Sequence, residues 1–120
     1  MSMRRFARLF SSMHCHYSAL RFTKSHEWIQ YDVNTKTAKI GITNYAQQQL
    51  GEIIHVELER VGKKFNQNDS ISVLESVKIA ADVYTPVSGT IKAINQAVEK
   101  EPWLINDKAM ESWLVEIAFT

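Results

Sequence analysis

The chain has 120 residues, of which 45% are hydrophobic and 22% are charged, and its formal net charge is +1. This length favours a single domain, and the hydrophobic content excludes a chain that is disordered throughout. No apolar run reaches the roughly 18 residues that a membrane-spanning helix needs, and the single cysteine excludes an intrachain disulfide.

The charges are unevenly distributed along the chain. Residues 1–26 contain five basic and no acidic side chains, whereas 27–120 contain nine basic and thirteen acidic ones. The acidic body has no basic stripe of the kind that binds nucleic acids, so we expect no nucleic-acid partner. A basic beginning without acidic residues is instead typical of a targeting segment.

The start of the chain has the composition of a mitochondrial transit peptide. Its arginines alternate with Phe and Leu, and several serines add hydroxyl groups. The arginines also interrupt the apolar run that a secretory signal needs. We predict that residues 1–20 are a transit peptide, removed up to about Tyr17, and that 21–120 form the functional domain. A disordered basic tail is the alternative.

The segment His14-Cys15-His16 consists of side chains that can bind metal ions. Three consecutive ligands cannot easily surround one ion, and no second cysteine is available to complete a site. The segment also lies within the predicted transit peptide. We therefore predict no metal site.

The body begins with a predicted β-hairpin and a short helix. Residues 28–33 alternate with the period of a strand, 34–37 have turn composition, and 38–42 favour a second strand. This pattern predicts a hairpin with a four-residue loop. Next, Asn44 can cap a short helix that ends at Gly51 in the left-handed region.

Further strands are predicted in the middle of the chain. Residues 53–58 have strand composition. A turn at 66–69 precedes a strand in which Ile71 and Val73 share a face.

The last third of the chain predicts more strands and one helix. Pro86 interrupts an extended run because proline cannot donate to a strand ladder, and Gly89 permits a turn. Pro102 suits the first turn of a helix, and alternating apolar residues at 113–119 predict a final strand. Many short strands with frequent turn signals indicate a mostly β sandwich or barrel with short helices.

Lys78 is surrounded by apolar and β-branched residues in the segment ESVKIAADVYTPVSG, residues 75–89. Because one strand ends near Ser76 and another begins near Ala81, Lys78 falls at a hairpin tip, where its ammonium group stays in water. One interpretation is an exposed turn lysine without chemical function. The other is a lysine that an enzyme acylates. With an eight-carbon acid it would reach on the order of 10–15 Å and could carry a group between active sites.

Several ordered blocks of the sequence resemble the glycine cleavage H-protein family, across about residues 22–117. The segment FTKSHEW resembles the opening of the family, and IGITNYAQQQLGEIIHVELERVG resembles its next block. The segment VLESVKIAADVYTPVSGTI resembles the block in which the family is lipoylated. The family usually has Thr-Asp where this chain has Thr43-Asn44, and Gly-Asp where it has Asn68-Asp69. It also usually has a glycine-containing loop where this chain has NDKAMESW, residues 106–113.

The resemblance implies a barrel-sandwich hybrid fold, like that of lipoyl and biotinyl carriers, and a carrier that is not an enzyme. It implies lipoate attached to Lys78, which takes up the aminomethyl group of glycine. The implied partners are a pyridoxal-phosphate glycine decarboxylase, a tetrahydrofolate-dependent aminomethyltransferase, dihydrolipoamide dehydrogenase and a lipoylating enzyme. The implied location is the mitochondrial matrix.

The resemblance also implies a cleft for the lipoyl arm, and we predict roles for two residues near the hairpin. Ser25, Glu27 and Asp82 would line a cleft that receives the lipoyl arm, and they would accept hydrogen bonds from the protonated amine of its cargo. Glu75 and Gly89 would position the hairpin for the modifying enzyme. The alternative for each is a surface charge or a backbone role without such a function.

Other carriers with the same hairpin remain alternatives. Biotin carriers usually have methionine on both sides of the modified lysine, where this chain has Val77 and Ile79. Lipoyl domains of 2-oxoacid dehydrogenases usually have Asp before the lysine. A relay that hands lipoyl groups to other proteins and an unmodified interaction module are further alternatives. The mass of the mature protein distinguishes a lipoyl adduct, a biotinyl adduct and no adduct.

Overall fold

The computed structural model describes residues 18–119. Most of the predicted transit peptide, 1–20, and all of the segment His14-Cys15-His16 therefore lie outside the described residues. The described part forms nine strands: β1 Ser18–Phe22, β2 Glu27–Asp32, β3 Thr37–Ile42, β4 Ile53–Leu58, β5 Lys64–Phe65, β6 Ser70–Ser76, β7 Ala80–Tyr84, β8 Gly89–Ile94 and β9 Val115–Phe119. It also forms three short helices: α1 Asn44–Leu50, α2 Gln96–Lys100 and α3 Trp103–Asp107.

The strands form two antiparallel sheets. The larger sheet has the order β1-β2-β3-β9-β8-β5, and the smaller has the order β4-β6-β7. Aliphatic side chains from both sheets meet in one core, with Ile40 and Ile117 from the larger sheet and Leu74 from the smaller sheet fully buried. The predicted fold class, a mostly β barrel-sandwich hybrid with short helices, is confirmed.

The first predicted hairpin is present, with its loop one residue earlier than expected. Strand β2 ends at Asp32, which pairs with Thr37 of β3, so the loop is 33–36. The Asp32 carboxylate accepts a hydrogen bond from the Asn34 N–H at 2.8 Å, which reverses the chain locally. Turn chemistry within a few residues therefore sets the position of this hairpin.

Helix α1 also forms where the sequence predicts a helix, but its caps differ from the prediction. Thr43, and not Asn44, is the N-cap, because the Thr43 hydroxyl accepts a hydrogen bond from the Ala46 N–H at 3.2 Å. Gly51 ends the helix with φ 82° and ψ −156°. The positive φ is as expected, but this ψ lies outside the left-handed helical region, in a conformation that essentially only glycine adopts.

Strand β6 contains a bulge that changes which side chains face the core. Its register against β7 shifts between Ser70 and Ser72, and Ile71 and Ser72 are both buried. The prediction that Ile71 and Val73 share a face is therefore wrong, because the extra residue reverses the alternation. Beyond the bulge, Leu74 faces the core.

The break between β7 and β8 carries the chain from the smaller sheet to the larger one. Pro86 lies in this break, as predicted. Gly89, however, follows the turn and begins β8. A Cβ at this position would lie 2.4 Å from the Ala118 carbonyl oxygen and 2.5 Å from the Ile117 Cγ2. Gly89 therefore allows β8 and β9 to approach closely, and no positive φ is involved.

Two short helices precede the final strand, although the sequence predicts only the second. Pro102 comes immediately before α3, in agreement with its predicted place at a helix start. The glycine-free loop after α3 is tied to the body, since the Trp28 indole donates to the Ala109 carbonyl at 3.1 Å and the Ser112 hydroxyl donates to the Leu104 carbonyl at 3.0 Å. Among residues 18–119, no helix is long and apolar enough to cross a membrane.

Candidate functional site

Lys78 lies in the three-residue loop, 77–79, that connects β6 to β7. The Ser76 N–H donates to the Ile79 carbonyl at 2.8 Å, which closes the hairpin around Val77 and Lys78. Lys78 is exposed, and the side chains of Val77 and Ile79 are 62% and 55% exposed. The lysine and its apolar neighbours therefore project from the smaller sheet, and no charge is buried among them.

The Ser76 side chain organises this loop. Its hydroxyl oxygen accepts hydrogen bonds from the N–H groups of Lys78 and Ile79, both at 3.1 Å, and its O–H donates to the Ile79 carbonyl at 3.1 Å. A serine at the start of a turn commonly makes such bonds. Ser76 is not among the residues predicted from the sequence, although a serine two residues before the lysine is a signal for such a turn.

The hairpin tip rests on the segment that joins α1 to β4. The Val77 N–H donates to the Glu52 carbonyl at 3.0 Å. The side chain of Lys78 lies over Gly51, where an added Cβ would be 3.5 Å from the lysine Cε. The end of the Lys78 side chain therefore lies over the C-cap of α1.

A groove of about 190 Å³ lies beside α1. It contains Ser25, Glu27 and Asp82, the three residues predicted for the arm cleft, which come from the β1–β2 turn, β2 and β7. Its apolar walls are formed by Ile42, Leu50, Leu74, Ala81 and Val83. Leu50 belongs to this wall and is adjacent to Gly51, so α1 connects the groove with the lysine.

Glu27 is buried, with only 3% of its surface exposed, and each of its carboxylate oxygens accepts a hydrogen bond. One carboxylate oxygen, Oε1, accepts a hydrogen bond from the Thr23 hydroxyl, and the other, Oε2, accepts one from the Tyr84 N–H at 3.3 Å. The alternative that Glu27 is a solvated surface charge is therefore wrong. Its bond to Tyr84 also links β2 of the larger sheet to β7 of the smaller sheet.

The other two residues predicted for the arm cleft, Asp82 and Ser25, are at the rim of the groove. Asp82 is exposed, and its carboxylate accepts a hydrogen bond from the Ser70 hydroxyl at 2.9 Å. Ser25 is exposed in the turn before β2. These three predicted residues thus supply one buried carboxylate, one exposed carboxylate and one hydroxyl, a set of acceptors that suits a small protonated amine.

His26, Tyr45 and Gln49 also line the groove. His26 has φ 66°, and its ring packs against that of Tyr45 with a centroid distance of 4.6 Å. The sequence analysis did not identify Tyr45 or Gln49, since the composition of a seven-residue helix does not indicate which of its faces meets a groove.

The structure does not bring Glu75 and Gly89 together. Glu75 is half-buried in β6 of the smaller sheet, opposite His55 and Ala80. Gly89 begins β8 in the larger sheet. Glu75 is thus close to the lysine along its own strand, whereas Gly89 has the packing role described above. In the described residues, no group of three or more His, Cys, Asp and Glu side chains could hold a metal ion.

Comparisons with known proteins agree with the sequence resemblance. The family model for the glycine cleavage H-protein matches residues 20–120. A probable glycine cleavage system H protein of Thermoplasma acidophilum is 48% identical over 99 residues, which cover 82% of this chain and 78% of that protein. A probable mitochondrial glycine cleavage system H protein 1 of Dictyostelium discoideum is 41% identical over 97 residues, which cover 80% of this chain and 66% of that protein.

A solved structure has the same fold. The crystal structure of a glycine cleavage system H protein from Mycobacterium marinum superposes with a TM-score of 0.79 and 29% sequence identity, covering 84% of each chain.

Proposed function

This chain belongs to the glycine cleavage H-protein family, and we propose that it carries lipoate in amide linkage to Lys78. The observation that carries the proposal is the position of this lysine, which is exposed in the loop between β6 and β7. Its side chain lies over Gly51 at the end of α1, and the adjacent Leu50 lines an apolar groove with carboxylates. When bound, the lipoyl group supplies a disulfide that accepts the aminomethyl group of glycine. The protein then acts as a carrier between active sites and not as a catalyst.

The residues present suit such an arm. The groove walls are aliphatic, which favours contact with an acyl chain. Ser25, Glu27 and Asp82 provide the acceptors for a protonated amine at the end of the arm. Glu27 is the most important of the three, because a charge shielded from water attracts an ammonium group more strongly than an exposed one. The groove would also shield a water-labile cargo during transfer.

The partners follow from this carrier role. A pyridoxal-phosphate glycine decarboxylase would supply the aminomethyl group, a tetrahydrofolate-dependent aminomethyltransferase would remove it, and dihydrolipoamide dehydrogenase would reoxidise the dithiol. A lipoylating enzyme would attach the arm to Lys78. The basic start of the chain supports a mitochondrial transit peptide, removed up to about Tyr17, and a location in the matrix.

The direct test is the intact mass of the protein isolated from its organelle, followed by peptide mapping. We expect the mass increase of one lipoyl group, located on Lys78. The Lys78→Arg variant keeps the charge and exposure of the tip, so it should fold normally, lack the adduct and fail to support glycine cleavage. A biotinyl adduct, an unmodified Lys78 or normal glycine cleavage by Lys78→Arg would refute the proposal.

A further inference from the structure

We propose that Asn106 of α3 is a positioning residue for the hairpin that carries Lys78. This inference rests on the proposed lipoylation, since positioning matters only if an enzyme must recognise the tip. Asn106 belongs to the segment 106–113, in which this chain differs from the usual family pattern.

Asn106 joins the end of α1 to the start of β4. Its Oδ1 accepts a hydrogen bond from the Ile53 N–H at 2.8 Å. Its Nδ2 donates to the Gly51 carbonyl at 2.8 Å and to the Gln47 side-chain oxygen at 2.9 Å. Both amide hydrogens are thus used, and the two residues on either side of Glu52 are held in one arrangement.

The lysine hairpin rests on this same segment. The Val77 N–H donates to the Glu52 carbonyl, and the Lys78 side chain lies over Gly51. A shift of the segment 51–53 would therefore disturb both the hydrogen bond to Val77 and the contact with the Lys78 side chain. Asn106 touches neither the lysine nor the groove, so its effect on modification has to pass through this support.

Asparagine is the residue type that these contacts require. One short planar side chain must present an acceptor to the Ile53 N–H and two donors to Gly51 and Gln47. An aspartate side chain has acceptors but no donors, and an alanine side chain has neither donors nor acceptors. Ile53 is only 2% exposed, so its N–H would lose its partner without ready access to water.

The test compares Asn106→Ala with Asn95→Ala. Asn95 is a matched control, because it is also half-buried and makes two side-chain bonds, to the Trp113 carbonyl at 2.8 Å and the Ala97 N–H at 3.2 Å. It caps α2 and makes no bond to the lysine hairpin. Both variants should lose stability, whereas only the first should disturb the tip.

The first measurement is hydrogen exchange of the Val77 amide, normalised to the buried Ile91 amide, whose N–H donates to the Lys63 carbonyl at 2.9 Å. We expect Val77 to exchange about tenfold faster in Asn106→Ala and at an unchanged rate in Asn95→Ala. The second measurement is the KM for lipoylation by an ATP-dependent lipoate ligase. It should rise about tenfold in Asn106→Ala, because the competent tip is populated less often.

Asn106→Asp provides a second variant if Asn106→Ala does not fold. It keeps an acceptor for the Ile53 N–H and replaces the two donors with a charged carboxylate oxygen, which faces the carbonyl oxygens of Gly51 and Gln47. Equal Val77 exchange in the Asn106 and Asn95 variants, or an unchanged KM in the Asn106 variants, would overturn the inference. If the unaltered protein takes up no lipoyl group on Lys78, the proposed function fails, while the exchange comparison still decides whether Asn106 holds the hairpin.

Discussion

The Thr23 hydroxyl makes two hydrogen bonds to Glu27, accepting from its backbone N–H at 3.0 Å and donating to its carboxylate oxygen Oε1. A hydroxyl has one proton, and here that proton is directed at the carboxylate. Because the Tyr84 N–H binds the other oxygen, both carboxylate oxygens are held. Thr23 and Tyr84 therefore set the orientation in which Glu27 faces the groove.

Thr23→Val should shorten the lifetime of the protein that carries the aminomethyl group. Valine has the shape of threonine without the hydroxyl, so the Glu27 carboxylate would lose one of its two hydrogen-bond donors and keep the Tyr84 N–H. We expect release of ammonia or formaldehyde from isolated loaded protein to accelerate roughly threefold. This factor corresponds to about half the free energy that one ordinary hydrogen bond contributes. Thr23→Ser keeps the hydroxyl and should behave as wild type. Equal lifetimes for Thr23→Val and wild type would contradict the prediction.

Glu27→Gln should have a larger effect on the same lifetime. The glutamine oxygen can accept from the Tyr84 N–H, and its NH₂ group can donate to the Thr23 hydroxyl oxygen, so the fold should persist. Loss of the buried charge should accelerate release roughly tenfold, which corresponds to about 1.4 kcal/mol, and leave lipoylation of Lys78 intact. Asp82→Asn should have a smaller effect, because Asp82 is exposed. Equal rates for both variants and wild type would show that no carboxylate clamp exists.

Glu75→Ala should slow lipoylation with little loss of stability. Glu75 lies three residues before Lys78 on β6 and is only half-buried, so a modifying enzyme that docks on the tip can contact it. The expected decrease in kcat/KM is roughly two- to fivefold, in the range of an exposed charge contact. The matched control is Glu57→Ala on the neighbouring strand β4. Unchanged kinetics for Glu75→Ala would leave Glu75 as an ordinary surface charge.

Gly89→Val should destabilise the fold by roughly 1–3 kcal/mol, the usual range for overpacking. The added side chain would collide with the backbone of Ala118, which can move only if β8 and β9 separate. The midpoint of urea unfolding measures the effect. Lys92→Val, at an exposed position of the same strand, is the control and should change the midpoint little. A Gly89→Val protein as stable as this control would disprove the close-approach explanation.

Cleavage of the transit peptide should leave β1 intact. A cut after about Tyr17 spares the whole strand, whereas a cut after Leu20 would remove three of its five residues, which pair with β2. We therefore expect the mature chain to begin no later than Ser18. N-terminal sequencing of protein isolated from mitochondria tests this. A mature protein that still begins at Met1 would contradict the existence of the transit peptide.

The sequence by itself determined the features that depend on neighbouring residues. The β2–β3 hairpin, helix α1 and the loop around Lys78 all form where turn and capping residues predict them, because their hydrogen bonds link residues two to four positions apart. The prediction of Asn44 as the N-cap, where the structure has Thr43, was off by one residue because two adjacent residues can make the same capping bond.

Only the tertiary structure decided the contacts between distant segments. The Glu27 carboxylate accepts a hydrogen bond from Tyr84, which is 57 positions away, and the bonds of Asn106 reach 53 to 59 positions back along the chain. The need for glycine at position 89 arises from β9, which pairs with β8 across the two intervening helices. No local pattern encodes such contacts, because they depend on how the two sheets pack and on where a bulge shifts the register of β6.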